Sequence, residues 1–255
     1  MTKFCFPSAL ALAVAAIALA GCQEFSDVTG SIRTAAASTD EMSARAQSAA
    51  LQKAYESNPG DKAASIAYAR SLRAITRYDE AVAVMQVAAV KAPKDQEVLG
   101  EYGKALADAG QLGQAKDVLT RAYTPDNPKW DVMNVQGSIA DRLGDHPTAM
   151  SFYRNALKIA PEEPSVLTNM GLSYALAKQL PQAEQALREA AASPRASART
   201  RGDLALVLAL EGKYAEAERV AASDLPPAAA RANVEAVKRM VAGGAPRTTG
   251  EGKAG

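Results

Sequence analysis

One repeat recurs at a fixed spacing through most of this chain and constrains its fold more than any other feature. Every thirty-fourth position returns to alanine, at Ala81, Ala115, Ala149, Ala183 and Ala217. Small residues stand twelve positions before these alanines, at Ala69, Gly103, Gly137, Gly171 and Ala205. Prolines close the units at Pro93, Pro128, Pro161 and Pro194. A repeat of this length is typical of solenoids, in which each unit packs on its neighbours.

Each unit is predicted to contain two helices joined by a short turn. Small residues let two helix backbones approach closely, and bulky apolar residues fill the spaces beside them. The turn is expected five positions before each alanine, at Thr76, Gly110, Gly144, Lys178 and Gly212. Glycine is typical of helix ends. Because aromatic residues form only 5% of the chain and alanine is abundant, helix is favoured over sheet throughout.

The period and the alternation of small and large residues resemble the tetratricopeptide repeat. The resemblance covers residues 61 to about 224, in five units without insertion. It implies an all-α, right-handed superhelical solenoid. The family's early tryptophan is absent from every unit, and its place is taken by Ser65, Leu99, Met133, Leu167 and Arg201.

Both ends of the array are predicted to carry capping helices, because a solenoid otherwise exposes an apolar face at each end. Residues 40–57 continue the repeat columns backwards and form the first cap. Residues 227–242 place Val234, Val237, Met240 and Val241 on one helical face and form the second. The repeat domain is therefore predicted over 40–242, with a disordered tail at 243–255. The second helix of unit five is expected to be short, because two prolines follow it.

The N-terminus is predicted to be a targeting signal. A positive residue, Lys3, precedes an apolar stretch over 9–20 that suits a signal peptide and is too short to anchor in a bilayer. The stretch ends Leu-Ala-Gly-Cys at residues 19–22, which resembles the bacterial lipobox. That resemblance implies removal of residues 1–21 and lipidation of Cys22. The segment 22–39 is rich in Ser, Thr and Ala and is predicted to be a flexible tether behind the lipidated cysteine. An ordinary signal peptide with a chance cysteine, or a cytosolic start, is the alternative.

The residue after the cysteine bears on the destination of the lipoprotein. It is Gln23 and not aspartate. By resemblance to lipoprotein sorting in enterobacteria, this implies the outer membrane, with the body of the protein in the periplasm. Several acyl chains would make that attachment effectively permanent.

Composition and motifs argue against an enzyme or a nucleic-acid binder. Lys and Arg number 29 against 28 Asp and Glu, so no basic excess attracts nucleic acid. One histidine and two cysteines offer little for a metal site, and no phosphate-binding loop or nucleophile elbow is present. We expect no enzymatic activity, no cofactor and no metal. The only basic concentration, at Arg188, Arg195, Arg199 and Arg201, is interpreted as solvated surface, with an acidic partner or lipid headgroups as the alternative.

In tetratricopeptide arrays the first helix of every unit lines a concave groove, and the resemblance implies a partner-binding groove here. Its predicted residues in units one to three are charged or polar: Arg70, Arg73, Glu101, Lys104, Asp108, Asp131, Asn134, Asp141 and Arg142. Those in units four and five are mostly apolar: Thr168, Leu172, Leu176, Leu206 and Leu210. The asparagines of chaperone-tail clamps are replaced by Arg70, Lys104 and Ser138, so chaperone-tail binding is not predicted. The leucines are either a partner site or covered by the helix at 227–242.

Several phrases resemble the TadD family, the repeat lipoprotein of tight-adherence (Flp) pilus assembly. They are Trp130-x-x-x-Asn134-x-x-Gly137, the segment 164–173, the segment 201–208 and the close at 224–234. The resemblance implies a non-enzymatic scaffold for assembly and secretion of Flp pili, either a pilotin of the outer-membrane secretin or an assembly factor, that binds a secretin or another pilus component. A lipoprotein adaptor for a periplasmic protease or cell-wall hydrolase and a helical-repeat subunit of the outer-membrane protein insertion machinery are the alternatives.

Overall fold

The structure, a computed structural model, describes residues 35–243. This range contains twelve α-helices and no β-strand. The helices are α1 Ala35–Ser57, α2 Lys62–Ala74, α3 Tyr78–Lys91, α4 Gln96–Asp108, α5 Leu112–Leu119, α6 Trp130–Arg142, α7 His146–Ile159, α8 Pro164–Leu176, α9 Leu180–Ala192, α10 Ala198–Leu210, α11 Tyr214–Ala221 and α12 Pro227–Gly243. The predicted signal peptide, Cys22, most of the predicted tether and nearly all of the predicted tail lie outside the described residues.

Helices α2 to α11 form five helix pairs, which we number as units one to five. The first helices begin one repeat period apart, at Lys62, Gln96, Trp130, Pro164 and Ala198, and each has 13 residues. Four of these starts are capped by an oxygen of the preceding side chain, which accepts a backbone N–H of the first turn: Asp61, Asp95, Glu163 and Ser197. Local sequence therefore sets the helix starts in register with the repeat.

The turns between paired helices lie at the predicted positions. Their backbone φ angles are positive at Thr76, Gly110, Gly144, Lys178 and Gly212, between 61° and 80°. In each case the N–H of the next residue donates to the carbonyl five residues before it, as in the bond from Gln111 to Leu106 at 2.9 Å. This is the Schellman closure of a helix. Glycine adopts this conformation without steric penalty, whereas Thr76 and Lys178 adopt it with a side chain attached.

The repeated alanines lie where paired helices cross. Ala81, Ala115, Ala149, Ala183 and Ala217 are all fully buried. The small residue of the first helix requires equally close contact: a Cβ built on Gly137 would stand 2.4 Å from the Tyr153 ring. Small side chains at these positions let each helix pair close, as the sequence pattern predicts.

The two ends of the array are covered by single helices. At the N-terminal end, Leu51 and Tyr55 of α1 pack on the core of unit one, and the rings of Tyr55 and Tyr68 lie 5.6 Å apart. At the C-terminal end, Ala230, Val234 and Val237 of α12 are buried. Helix α1 begins at Ala35 and not at residue 40, because the alanines at 35–37 favour helix strongly. The predicted tether therefore extends at most to residue 34.

Two of the second helices are short. Helix α11 has 8 residues, as the following prolines predict. Helix α5 also has 8 residues, which the repeat pattern did not predict. Pro125 disfavours helical geometry at Thr124, and a turn closed by the Thr124–Asn127 bridge follows. Among residues 35–243, no helix is long and apolar enough to cross a membrane.

Candidate functional site

Charged side chains from the first helices of units one to three form a continuous ion network. Glu101 of α4 accepts hydrogen bonds from Arg70 of α2 and from Lys104 of its own helix, both at 2.9 Å. Lys104 also donates to Asp131 of α6 at 2.5 Å. The structure thus brings four predicted groove residues together across three units.

Glu101 is the centre of this network. Its side chain is buried, and Arg73 lies 3.5 Å from its second carboxylate oxygen while also donating to Asp108 at 2.6 Å. Burial raises the pKa of Glu101, but the hydrogen bonds from Arg70 and Lys104 outweigh burial and lower the pKa to about 2. Glu101 therefore stays ionised at neutral pH and holds units one and two together.

An open cavity of about 770 Å³ lies beside the network. Its basic lining residues are Lys62, Arg70, Lys104 and Lys129, and its acidic ones are Asp95, Glu97, Glu101 and Asp131. Trp130 adds half-buried aromatic surface, and the amide groups of Gln96 and Asn127 add neutral hydrogen-bonding atoms. A lining with balanced charge, an aromatic ring and side-chain amides suits a segment of polypeptide.

Of the cations that line the cavity, Lys129 is the one without an ion pair to another described residue. It is exposed, and it makes no ion pair within the described residues, whereas Lys62 pairs with Asp95 and Glu97. It also precedes α6 without capping it through its side chain. An incoming group can therefore interact with Lys129 without breaking an internal bond.

Asp141 of α6 joins two units. Its carboxylate accepts hydrogen bonds from the Tyr153 hydroxyl at 2.8 Å and the Ser173 hydroxyl at 2.7 Å, and lies 2.8 Å from Nδ1 of His146. Burial, together with the bond to Asp141, raises the pKa of Tyr153. In a catalytic triad the serine hydroxyl bonds to the histidine, and the histidine bonds to the acid. Here Ser173 is 1% exposed and bonds to Asp141 and not to His146, so these three residues are not arranged as a catalytic triad. Its role in this geometry is to fasten α6, α7 and α8.

Other polar groove residues also bond between units. Asn134 accepts from Asn169 at 3.0 Å, and Arg142 donates to the carbonyl of Ala107 at 2.6 Å. Thr168 is 5% exposed, and its hydroxyl lies 3.1 Å from that of Thr200. These side chains lie along the first helices as the sequence predicts, but their polar atoms are largely engaged within the array. Partner binding by them stays a prediction.

The leucines divide into two groups. Leu206 and Leu210 of α10 are half-buried and pack against a core cluster that includes Leu208 of α10 and Val234 of α12. Leu176, at the end of α8, is 62% exposed, and Leu172 is half-buried. Helix α12 therefore belongs to the same core as Leu206 and Leu210 of unit five, whereas Leu176 of unit four faces solvent.

The basic concentration of units four and five is paired. Arg188 bonds to Glu184 and Glu216, Arg195 to Glu163 and Arg201 to Asp224, at 2.6 to 2.9 Å. Arg199 lies 3.7 Å from Asp203. Such pairing agrees with the interpretation as solvated surface. In the described part of the chain, no group of three or more His, Cys, Asp or Glu side chains could hold a metal ion.

Comparison with known proteins gives the same class of fold. A family model described as "Tetratricopeptide repeat" matches residues 131–163, which cover α6 and α7. No curated protein matches the sequence. The match and the helix pairs confirm the predicted fold: an all-α tetratricopeptide superhelix, a class that generally serves as a non-enzymatic scaffold for protein–protein interaction.

Solved structures resemble much of the chain at low sequence identity. PilW, described as a widely conserved type IV pilus biogenesis factor, has a TM-score of 0.64 at 17% identity, over 77% of this chain and 93% of that one. A thermophilic TPR protein of Thermus thermophilus has a TM-score of 0.60 at 22% identity, over 69% and 97%. An IFIT1 monomeric mutant has a TM-score of 0.61 at 16% identity, over 74% and 48%. The chain spans about half the length of the IFIT1 structures, and identities this low show the fold alone.

Sequence reasoning missed three residues of interest. Lys129 and Trp130 lie at the start of a first helix, and their place in the cavity depends on how units two and three stack. Asp203 was also missed, although it occupies the same repeat position as Glu101. Comparing charges column by column along the repeat would have found it.

Proposed function

We propose that this chain is a non-enzymatic lipoprotein scaffold, attached to the outer membrane through Cys22, that holds a protein component of Flp pilus assembly in its groove. The observation that carries the proposal is the open cavity on the first helices of units one to three. Its balanced charge, its tryptophan and its unpaired lysine suit an extended or helical polypeptide segment. A secretin or another component of the pilus system is the proposed client.

Two features support the link to pili. The phrases along α6, α8 and α10 resemble the TadD family of pilus lipoproteins. Among solved structures of similar fold, PilW is described as a pilus biogenesis factor, and the shared fold extends over 93% of that chain. Neither feature identifies the client, so the client is the object of the test.

Lipid attachment would contribute to the mechanism. Acyl chains confine the groove near the membrane, which raises the effective concentration of the groove for any client bound for the same membrane. A modest affinity in the cavity would then suffice to capture that client before it assembles.

Site-specific photo-crosslinking in intact cells tests the proposal. Lys129 is replaced by a photoreactive phenylalanine analogue, because it is exposed, unpaired and lines the cavity. Lys116, also exposed but on α5, serves as the matched control. Arg70 and Lys104 are unsuitable positions, because their loss would leave Glu101 buried without its counter-charges. We expect position 129 to crosslink to a secretin or another pilus component, and position 116 not to.

The identity of the crosslinked protein separates the alternatives. A periplasmic protease, a cell-wall hydrolase or a subunit of the outer-membrane insertion machinery at position 129 would contradict the pilus role and retain the cavity as a docking site. Equal products at both positions, or none at 129, would contradict docking in the cavity. Normal surface pili in a deletion strain would also contradict the pilus role.

A further inference from the structure

Two acidic residues occupy the same repeat position in different units. Asp203 of α10 lies three repeats after Glu101 of α4, and both are the sixth residue of a 13-residue first helix. Because the first helices keep a strict register with the repeat, the two carboxylates occupy equivalent places along the first helices of their units.

The surroundings of the two acids differ in charge. The cations that bond to Glu101 are Arg70, Arg73 and Lys104. The residues three repeats later are Leu172, Ala175 and Leu206. Every counter-charge of the first site is therefore replaced by an apolar side chain at the second, while the acid is kept.

Asp203 consequently lacks the partners that Glu101 has. Its Oδ2 atom is buried and accepts no hydrogen bond. The nearest cation is Arg199, whose Nε lies 3.7 Å away and whose side chain is 75% exposed. Burial raises the pKa of Asp203 to about 6, with a smaller opposing effect of Arg199. An ionised carboxylate is costly to bury without a partner, so a cation that contacts Asp203 would strongly stabilise its ionised form.

Part of the site, and a leucine of unit four, are accessible to solvent. The side chain of Asp203 keeps 16% of its surface exposed, Leu172 is half-buried and Leu176 is 62% exposed. Helix α12 packs on α10 and α11. A long side chain with an apolar stem and a cationic head fits these surroundings, because the stem can pack on the leucines while the head meets the carboxylate.

We propose that Asp203, flanked by Leu172 and Leu206, is a docking site for a lysine or arginine side chain of the bound polypeptide, with an apolar residue beside that cation in the partner. This inference rests on the proposed function, since it assumes a polypeptide in the groove. The bound polypeptide would thus make a second contact at Asp203 in unit five, three units away from the balanced charges around Glu101.

Selection of binding peptides tests the site without requiring an identified client. Short random peptides displayed on phage are selected on the full-length protein in detergent, and the same selection is repeated on Asp203→Asn. We expect wild-type protein to enrich peptides with a lysine or arginine next to apolar residues, and Asp203→Asn to lose that enrichment. Asp117→Asn, which removes an exposed acid on α5, is the matched control and should retain it.

Affinities of one selected peptide complete the test. Fluorescence anisotropy compares the peptide with a version in which norleucine replaces its cation and keeps the stem. We expect Asp203→Asn to weaken the cationic peptide at least tenfold, as for loss of a buried charge partner, and to leave the norleucine peptide unchanged. Circular dichroism of each variant verifies folding.

The remaining outcomes contradict one proposal or both. Enriched peptides without a cation, or equal binding by wild type and Asp203→Asn, would overturn this inference and leave the groove function intact. A selection that enriches no peptide would contradict the groove function itself, and with it the site at Asp203.

Discussion

At the residue scale, Glu101 and Asp203 show how neighbours decide the behaviour of one repeat position. Both carboxylates are removed from water, which by itself raises the pKa of each. Arg70 and Lys104 reverse that effect at Glu101, whose pKa falls to about 2, whereas at Asp203 burial dominates and the pKa rises to about 6. The same position stabilises the array in unit two and destabilises it in unit five at neutral pH.

We expect Asp203→Asn to stabilise the protein at pH 7.5 and to have little effect at pH 4. The folded-state pKa of about 6 lies above the ordinary value of 3.8, so the contribution of Asp203 to stability falls as the pH rises from about 4 to about 6 and is constant above. Asparagine cannot ionise and removes this loss, which amounts to about 1–3 kcal/mol. Urea unfolding at both pH values measures it.

Asp117→Asn is the control for that measurement, because it removes an exposed carboxylate. It should shift the unfolding midpoint little at either pH. An equal gain for Asp203→Asn at pH 4 and pH 7.5 would contradict the argument, since it would show that ionisation of Asp203 is not the cause.

The conformation of single residues is predicted correctly where it depends only on their position in the repeat. Thr76 and Lys178 were expected in turns although neither is glycine, and both have positive φ. The bonds of Asp141 to Tyr153 and Ser173 were not foreseen. Hydrogen bonds between helices depend on exact side-chain distances, and a repeat pattern carries no information about them.

At the element scale, close helix contact is the main requirement of each unit. In unit three, Gly137 of α6 faces the ring of Tyr153, whose hydroxyl is held by Asp141. The ring cannot move away without breaking that bond. The glycine is therefore needed for space, and the first and second helices cannot keep their spacing with a larger residue.

We expect Gly137→Ala to lower the free energy of unfolding by about 1–3 kcal/mol, as for overpacking of a core. Gly113→Ala is the matched control, because nothing lies within 4 Å of the Cβ it would carry in α5. That variant should be neutral or more stable by up to about 1 kcal/mol, since alanine favours helix. Chemical denaturation measures both, and equal values for the two would contradict the steric explanation.

Helix α12 raises the question of whether the last unit needs a cover. Val234 is 3% exposed in a cluster with Leu208, whereas Met240 of the same helix is 45% exposed. We expect Val234→Asp to detach α12, because an unpaired charge would be buried. Hydrogen exchange should then rise throughout α12 and at the adjoining face of α10.

Met240→Asp places the same charge on the exposed face and should leave exchange unchanged. If both variants behave alike, α12 does not contribute to the core of unit five. If Val234→Asp raises exchange in α12 but not in α10, the leucines of unit five are stable without a cover and are available to a partner.

At the scale of the whole molecule, the groove changes in character along its length. Units one to three carry an ion network and a polar cavity, and units four and five carry leucines and one buried carboxylate oxygen without a hydrogen bond. A client that spans the groove would therefore meet a polar surface of balanced charge at one end and an apolar, acidic site at the other. Opposite chemistry at the two ends would fix the direction in which a segment lies.

Lipidation is a prediction for the whole chain. We expect Cys22→Ala to remove the protein from the outer-membrane fraction, because no acyl chain can be attached without the thiol. Cys5→Ala, which changes the cysteine inside the predicted signal peptide, is the matched control and should remain with the membrane. Fractionation followed by immunoblotting measures both. Outer-membrane association that survives Cys22→Ala would contradict the proposed anchor.

The sequence by itself determined the architecture: five helix pairs, the constant spacing of their starts, their turns and the single helices at both ends. These follow from local signals and from small residues at helix crossings, which any chain of this repeat must satisfy. The tertiary structure alone decided which charges meet. Stacking of successive units brings Arg70 and Arg73 of unit one to Glu101, whereas Asp203 has no cation at hydrogen-bonding distance, because the equivalent residues of unit four are Leu172 and Ala175.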